Sequence, residues 1–250
     1  MKKTLLIVIM TVLLTAGVSA QGTKSQITLN TRAWSTNYWT TILYNLAHTA
    51  VVHFASDGNA TDALIAGAIL PDADVVFPIG MGKAGFEAPM NDIYGPYHRA
   101  FSNPFKRIGD YGIGLDVSWK PSPIGIYAGA YYKSQEICFM PNDDNLRGFY
   151  FQPRAGLVLG SNENSFEAGV FYDKVVGCGG TWEPRNKEML QSGWGLDFTL
   201  SHTVAKGRHK TMLMFSMPLH NFFNTAYADG SLKNLNRRVG YIMLTHRVVL

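Results

Sequence analysis

Residues 111–119 read Tyr-Gly-Ile-Gly-Leu-Asp-Val-Ser-Trp, and every odd position in this stretch carries a large apolar side chain. The even positions carry only Gly, Asp or Ser. Because side chains on a strand point alternately to opposite faces, the pattern predicts a strand with one apolar and one polar face. One such segment is typical of any half-buried strand. A series of them with the large residues on one consistent face indicates a barrel whose outer surface is apolar.

Similar segments follow along the rest of the chain. The sequence predicts strands at about 109–119, 123–134, 147–160, 165–175, 190–202, 209–218 and 238–250. Each is close to, or longer than, the roughly 9–11 residues with which a tilted strand crosses a bilayer. The connections between them are alternately short and long. This alternation is typical of transmembrane barrels, which have short turns at one end and long loops at the other.

The register of these strands divides their side chains between two faces. Outward positions carry large apolar residues such as Trp119, Leu157 and Trp194, whereas inward positions carry many glycines and a set of charges. The charged inward residues are Asp116, Lys133, Arg154, Glu167, Asp173, Asp197, Lys210 and Arg247. Four acids and four bases can pair across a narrow lumen, and buried charges are costly unless paired. The sequence therefore predicts a lumen closed by a charge network.

The first twenty residues resemble an export signal. Lys2 and Lys3 precede an apolar run at 5–14, and the small residue Ala20 stands where a signal peptidase cuts. This run is shorter than the roughly 20 apolar residues of a spanning helix. We expect residues 1–20 to be a cleaved signal peptide and residues 21–250 to form one domain.

Composition narrows the class of protein. Without Lys2 and Lys3 the chain carries 20 basic and 18 acidic residues, a net charge of +2. This near neutrality argues against a nucleic-acid partner, despite a pI of about 9.0. Charged residues make up 16% of the chain, below the roughly 25% of soluble domains. No later stretch is apolar for long enough to predict a transmembrane helix.

The motif Gly-x-Gly-Leu-Asp occurs twice, ending at Asp116 and at Asp197. One interpretation makes the two carboxylates a pair for acid/base chemistry or metal binding. The other is that the glycines let the strands coil tightly while each Asp pairs with an inward base. We favour the second, because nothing else near these positions completes a site.

The two cysteines, Cys138 and Cys178, follow two predicted strands at the same end of the barrel. An exported pair in an oxidising compartment favours a disulfide that would join two loops. Two free thiols are the alternative.

The N-terminal part, 21–108, is less regular. Residues 26–33 alternate like a first strand, whereas 37–54 fit either a helix or, near the end, a strand. Residues 59–69 could form a short helix, and a strand interrupted by Pro78 is expected between residues 74 and 85. Because single-chain bacterial barrels have an even number of strands, we expect this part to supply one strand or three. The barrel would then have eight strands, or alternatively ten.

The export signal, the alternating strands of 109–250 and the loop pattern together resemble the small outer-membrane β-barrel superfamily of Gram-negative bacteria. The resemblance implies an all-β, antiparallel, up-and-down transmembrane barrel in the cell outer membrane. It also implies contact with outer-membrane lipid and with the barrel-assembly machinery during insertion. The family includes adhesins, structural barrels, porins and a few enzymes, so membership alone does not choose a function.

Catalytic and metal motifs are missing from the sequence. Outer-membrane phospholipases and lipid A deacylases carry a His-x-Ser-Asn run, which does not occur here. Neither His-Glu-x-x-His nor Cys-x-x-Cys is present. We therefore expect no catalytic residue, no metal and no cofactor.

We expect a structural or surface-interaction protein that contacts an external protein or glycan through long loops. Tyr94, Tyr97 and His98 lie in an aromatic-rich stretch that is a candidate contact surface, or alternatively part of an interfacial aromatic belt. Two other functions stay open: a narrow porin-like channel for small solutes, and a lipid-modifying enzyme. The alternative fold is a soluble secreted barrel of lipocalin type.

Overall fold

Eight antiparallel strands form one curled sheet in the computed structural model of this protein. The structure describes residues 26–56, 73–82, 85–87, 93–94, 110–139, 144–161, 163–181, 186–204, 209–224 and 238–248. The strands are β1 (Gln26–Ser35), β2 (Ala73–Gly82), β3 (Gly85–Glu87), β4 (Ile93–Tyr94), β5 (Tyr111–Lys120), β6 (Ile124–Phe139), β7 (Asp144–Gly160), β8 (Asn164–Gly180), β9 (Gly193–Val204), β10 (His209–Pro218) and β11 (Arg238–Val248). Helix α1 (Tyr38–Ser56) follows β1 in the chain.

All seven strands predicted after residue 108 are present as β5 to β11. Strands β6, β7 and β8 extend several residues further than predicted, because their ends pair with one another beyond the alternating segment. Glu136 pairs with Arg147 and Phe139 with Asp144 on neighbouring strands. Backbone hydrogen bonds between neighbouring strands are sufficient to extend them. The extension therefore cannot be recognised from the alternation of apolar residues.

Strand β2 closes the sheet. The eight antiparallel strands follow the order β1-β5-β6-β7-β8-β9-β10-β11, and β2 pairs antiparallel with β11. It also pairs parallel with β1, where Ala33 to Ser35 lie opposite Ala73 to Val75. As expected for eight strands, the N-terminal part supplies one of the eight antiparallel strands, β1. Among its described residues, this part also supplies β2, whose parallel pairing with β1 was not predicted. The even-number rule holds for barrels in which each strand is joined to the next as an antiparallel hairpin. Here a crossover that contains a helix connects β1 to β2, so β2 can run parallel to β1.

Helix α1 begins at a polar cap. The side-chain oxygen of Asn37 accepts hydrogen bonds from the backbone N–H groups of Trp39 (3.0 Å) and Thr40 (3.2 Å). Of the two structures considered for residues 37–54, the helix is correct. No helix in the described ranges is long and apolar enough to span a membrane. The short helix predicted at 59–69 and the expected signal peptide lie outside the described residues.

The barrel has two different ends. The strand ends joined through 121–123, 161–163 and 205–208 form one end of the barrel, called here the turn end, and those joined through 140–143, 181–192 and 219–237 form the other, the loop end. Connections 181–192 and 219–237 are the long ones, whereas 140–143 is as short as the turns. Burial follows the predicted alternation: on β5, Asp116 is buried whereas Leu115 and Val117 are exposed. The wall therefore exposes apolar side chains outward and buries polar ones inward.

Candidate functional site: the filled lumen

The lumen is filled by inward side chains at three levels between the turn end and the loop end. The ionic level comprises Asp116, Tyr127, Tyr131, Arg154 and Asp197, all of which are buried. Above it lies an ion-pair centre on Asp173. Nearest the loop end lies an apolar plug supplied by two connections. We take this filled lumen as the candidate site because it decides whether the barrel can conduct, bind or react.

At the ionic level, each carboxylate has its own partners. A guanidinium nitrogen of Arg154 lies 2.9 Å from Oδ2 of Asp197, and the other carboxylate oxygen, Oδ1, accepts a hydrogen bond from the hydroxyl of Tyr127. Asp116 accepts a hydrogen bond of 2.8 Å from the hydroxyl of Tyr131. The Arg154 guanidinium lies over both tyrosine rings, 5.1 and 4.9 Å from their centroids. This arrangement favours the structural interpretation of the two Asp-containing motifs over a catalytic pair.

The glycines of the two Gly-x-Gly-Leu-Asp motifs make room for inward rings. A Cβ atom at any of the four positions would collide with an aromatic or histidine side chain inside the barrel. The pairs are Gly112 with Trp34, Gly114 with Tyr131, Gly193 with His220, and Gly195 with Phe171. The repeated motif therefore serves packing of a crowded lumen, which explains why small residues alternate with outward apolar ones.

Asp173 is fully buried and meets three polar side chains. One of its carboxylate oxygens lies 2.6 Å from Lys133 Nζ and 3.0 Å from His220 Nε2. Its other oxygen accepts a hydrogen bond of 2.9 Å from the side-chain amide of Gln152. The second ring nitrogen of His220 lies 2.9 Å from the carbonyl oxygen of Asn221. Both ring nitrogens of His220 therefore face oxygen atoms of the protein, which fixes the orientation of the ring.

The plug is formed by two connections that fold into the loop end. Segment 186–192, which contains a 3₁₀ turn at Lys187–Met189, bridges to segment 219–224 through Leu190 and Phe223. Backbone N–H groups of Gln191 and Asn224 donate across the two segments. Their buried apolar side chains pack against inward residues of β7, and the cluster is Leu146, Tyr150, Met189, Leu190, Phe222 and Phe223. His220 joins the plug to Asp173.

Asp110, directly before β5 at the loop end, connects three parts of the barrel wall. Its carboxylate accepts hydrogen bonds from the backbone N–H of Glu136 (2.7 Å) and the hydroxyl of Tyr241 (2.9 Å). Its backbone N–H donates to the hydroxyl of Thr36, just after β1. Burial, the largest cause, raises the pKa of Asp110 to about 6, while these hydrogen bonds and Arg147 act to lower it.

This pKa predicts that acid stabilises the fold through Asp110. Between the ordinary value of 3.8 and about 6, the folded protein binds more protons at this carboxyl than the unfolded chain does. Lowering the pH through this window should therefore increase the free energy of unfolding, by up to about 3 kcal/mol. Denaturant titrations of the wild type and of Asp110→Asn across this range measure the effect. Equal pH dependence in both proteins would contradict the assignment.

Two ion pairs join four of the eight charged residues predicted to line the lumen. Lys133 pairs with Asp173, and Arg154 with Asp197. Glu167 is buried, whereas Lys210 is half-buried. The backbone of Arg247 pairs with Lys210 near the turn end, and its side chain lies outside what the structure describes. The sequence therefore placed all four paired residues inside the barrel, but it did not indicate which acid pairs with which base.

The structure corrects the expected disulfide. Cys178 is a free cysteine. Cys138 pairs with Asn145 on one edge of β7, while Cys178 pairs with Gly148 on the other edge. The lateral separation alone is two strand spacings, about 9–10 Å, and the offset between Asn145 and Gly148 along β7 adds to it, whereas a disulfide requires Cα atoms within about 7 Å. The loops predicted to carry these cysteines are extended strands instead.

The proposed contact stretch is described only in part. The backbone of Tyr94 lies in β4, which pairs with the loop-end extension of β6. Tyr97 and His98 lie outside the described residues.

Several lumen residues were not predicted. Tyr127 and Tyr131 have the same parity as Lys133 on β6, so the alternation that assigned Lys133 inward also identifies these two tyrosines. Arg32 on β1 is fully buried, with its guanidinium 2.7 Å from the sulfur of Met214. The plug has no sequence signal of this kind, because its residues lie in connections without alternation.

Comparison with known proteins gives no match for this chain, whether against protein-family models, curated proteins or solved structures.

Proposed function

We propose that this protein is a closed outer-membrane β-barrel with a structural or surface-interaction role, exported by a cleaved signal peptide. The observation that carries this proposal is the inverted polarity of the wall. Ile113, Leu115, Val117 and Trp119 are exposed on one strand, whereas Asp116 on the same strand is buried. A soluble barrel buries its apolar face, since burial of apolar surface drives folding in water, whereas a barrel in lipid exposes it.

The height of the apolar wall supports the same proposal. On β7 the outward apolar residues run from Phe149 to Leu159. At about 3.3 Å per residue and a tilt of about 40°, this run spans roughly 25 Å along the barrel axis. Transmembrane barrels carry an apolar band of about 25 Å, so the dimension agrees with one bilayer.

Aromatic side chains border the apolar wall at both ends. Towards the loop end, the rings of Tyr172 and Trp194 lie 5.1 Å apart, and those of Tyr132 and Phe149 lie 6.3 Å apart. Towards the turn end, Trp119 is exposed and the rings of Phe166 and Phe198 stack at 6.3 Å. Aromatic girdles mark the two interfaces of outer-membrane barrels.

The filled lumen favours the closed barrel over the narrow channel. Water-filled channels need a continuous polar passage, whereas here the ionic level and the apolar plug occupy the same axis one above the other. A role at the surface then falls to the loop end, where an external protein or glycan would bind. Outer-membrane lipid surrounds the wall, and the barrel-assembly machinery inserts it.

Cell fractionation tests the location. We expect the mature protein in the outer-membrane fraction, with an unboiled band that migrates faster than the boiled one. Recovery of the mature protein from culture fluid would overturn the proposal in favour of the lipocalin-type barrel.

Planar-bilayer recording tests the closed lumen. We expect no steady single-channel openings from the purified wild-type protein, because Arg154, Asp197, Phe222 and Phe223 occupy the passage. A porin of known conductance, reconstituted in the same way, controls for insertion. Reproducible steady openings of the wild type would favour the porin-like alternative instead.

A further inference from the structure

Helix α1 exposes apolar side chains and carries no Asp, Glu, Lys or Arg along its 19 residues. Leu46 and Phe54 are 63% and 81% exposed. The large apolar side chains on its exposed surface are Trp39, Ile42, Leu43, Leu46, Val51 and Phe54. A helix on the surface of a soluble domain shows charged residues to the solvent, so this surface is unsuited to water.

The less exposed stripe of α1 is polar. Thr41 is buried, and Tyr44, Asn45 and His48 are partly buried at the spacing of one helix face. The hydroxyl of Thr41 donates to the carbonyl oxygen of Asn37 (3.2 Å). On the exposed surface, the hydroxyl of Thr49 donates to the carbonyl oxygen of Asn45 (2.8 Å). These hydroxyls need no water, which is the condition that lipid imposes on polar groups. The polarity of α1 is therefore inverted in the same sense as that of the barrel wall.

The helix contacts both β1 and β2. It therefore lies beside the place where these two strands pair in parallel, called here the seam. Ala33 and Ile113 are register partners on the outer face of the neighbouring strands β1 and β5. Ile113 is 52% exposed, whereas Ala33 is only 7% exposed. The outer wall is therefore covered at Ala33 but exposed at Ile113. Because α1 directly follows β1, it lies close enough to cover Ala33. This position makes the exposed apolar surface of α1 continuous with the apolar wall.

We propose that α1 is a lipid-contacting helix that lies in the bilayer against the outside of the seam between β1 and β2. The apolar side chains of α1 contact the acyl chains of the surrounding lipid, and the polar stripe faces the barrel. The proposal rests on the membrane barrel proposed above. Trp39, in the first turn of the helix at the loop end, stands where interfacial aromatic residues are enriched.

Site-specific fluorescence quenching tests this proposal. In a Cys138→Ser, Cys178→Ser background, single cysteines at Leu46→Cys and Phe54→Cys carry a polarity-sensitive label. Ile126→Cys serves as the control on the barrel wall, and Ser122→Cys, exposed in a turn, as the control in water. Vesicles of phosphatidylcholine with brominated acyl chains report lipid contact, and aqueous iodide reports contact with water. We expect brominated lipid to quench both helix positions as strongly as Ile126, and iodide to quench them several-fold less than Ser122.

The outcomes separate this inference from the barrel itself. If iodide quenches the helix positions while brominated lipid quenches Ile126, α1 faces water and the inference fails although the membrane barrel stands. If neither quencher reaches the helix positions, protein covers them and the inference fails too. If iodide quenches Ile126, the proposed membrane barrel fails, and the helix inference with it. Each variant is first checked for the unboiled band, and Ile42→Cys and Leu43→Cys replace any variant that does not fold.

Discussion

Replacing Asp173 with alanine is expected to lower the free energy of unfolding by about 3–5 kcal/mol, because it leaves Lys133 buried without its carboxylate. The substitution also removes the acceptor of His220 and Gln152, so one change affects three partners. Since His220 lies in the segment that carries Phe222, the loss should extend to the plug. Urea titration of the protein in lipid vesicles, followed by tryptophan fluorescence, measures the change.

Two variants control this experiment. Tyr150→Phe removes a buried hydroxyl for which the described part of the chain offers no hydrogen-bond partner. Tyr150 lies in the adjoining plug cluster. We expect Tyr150→Phe to change the free energy of unfolding by less than about 1 kcal/mol. Asp173→Asn keeps the size of the side chain and an acceptor oxygen, so its effect isolates the charge. If Asp173→Ala is no more destabilising than Tyr150→Phe, the ion-pair centre does not hold the lumen together.

Gly156→Val is expected to prevent folding or to cost about 3 kcal/mol or more, since it forces side-chain atoms into two neighbouring strands. A Cβ atom at Gly156 would collide with the carbonyl oxygen of Ala168 and lie 2.6 Å from Gly169 Cα. It would also lie 2.7 Å from the ring of Tyr127. Backbone atoms cannot move aside as a flexible side chain can, so relaxation recovers little of the cost.

The matched control for this substitution is the preceding residue. Ala155 is exposed on the outer face of the same strand, where extra methyl groups meet no lumen atom. We expect Ala155→Val to fold with nearly wild-type stability. The unboiled band and the urea midpoint compare the two variants. Similar behaviour of both would mean that the inward and outward faces of β7 are wrongly assigned.

Much of the wall could be predicted because its signal is local. Alternation assigned Asp116 inward and Leu115 outward without knowledge of any neighbour, since the period of a strand depends only on the backbone. The same parity would have identified Tyr127 and Tyr131 as inward residues. The ends of β6, β7 and β8 were predicted too short, because their extension depends on pairing with neighbours and not on their own pattern.

In the N-terminal part, the sequence indicated the strands β1 and β2 but not how they pair. Helical spacing in residues 37–54 was visible, but nothing local indicates that β2 would run parallel to β1 or lie beside the last strand. Parallel pairing joins residues that are distant along the chain, and here Ala33 meets Ala73. The closure of the sheet between β1 and β2 depends on this pairing.

Alternating side chains along β5 to β11 already decide that the chain forms a sheet with an apolar outside and a polar inside, because a strand presents its residues with period two. Which charges meet is decided only when the sheet curls, since Lys133 and Asp173 stand on strands separated by β7. The plug is tertiary for the same reason: Phe223 reaches Leu190 only after two connections fold into the lumen. Local geometry thus determines the two faces of the wall, and long-range contacts close and fill the barrel.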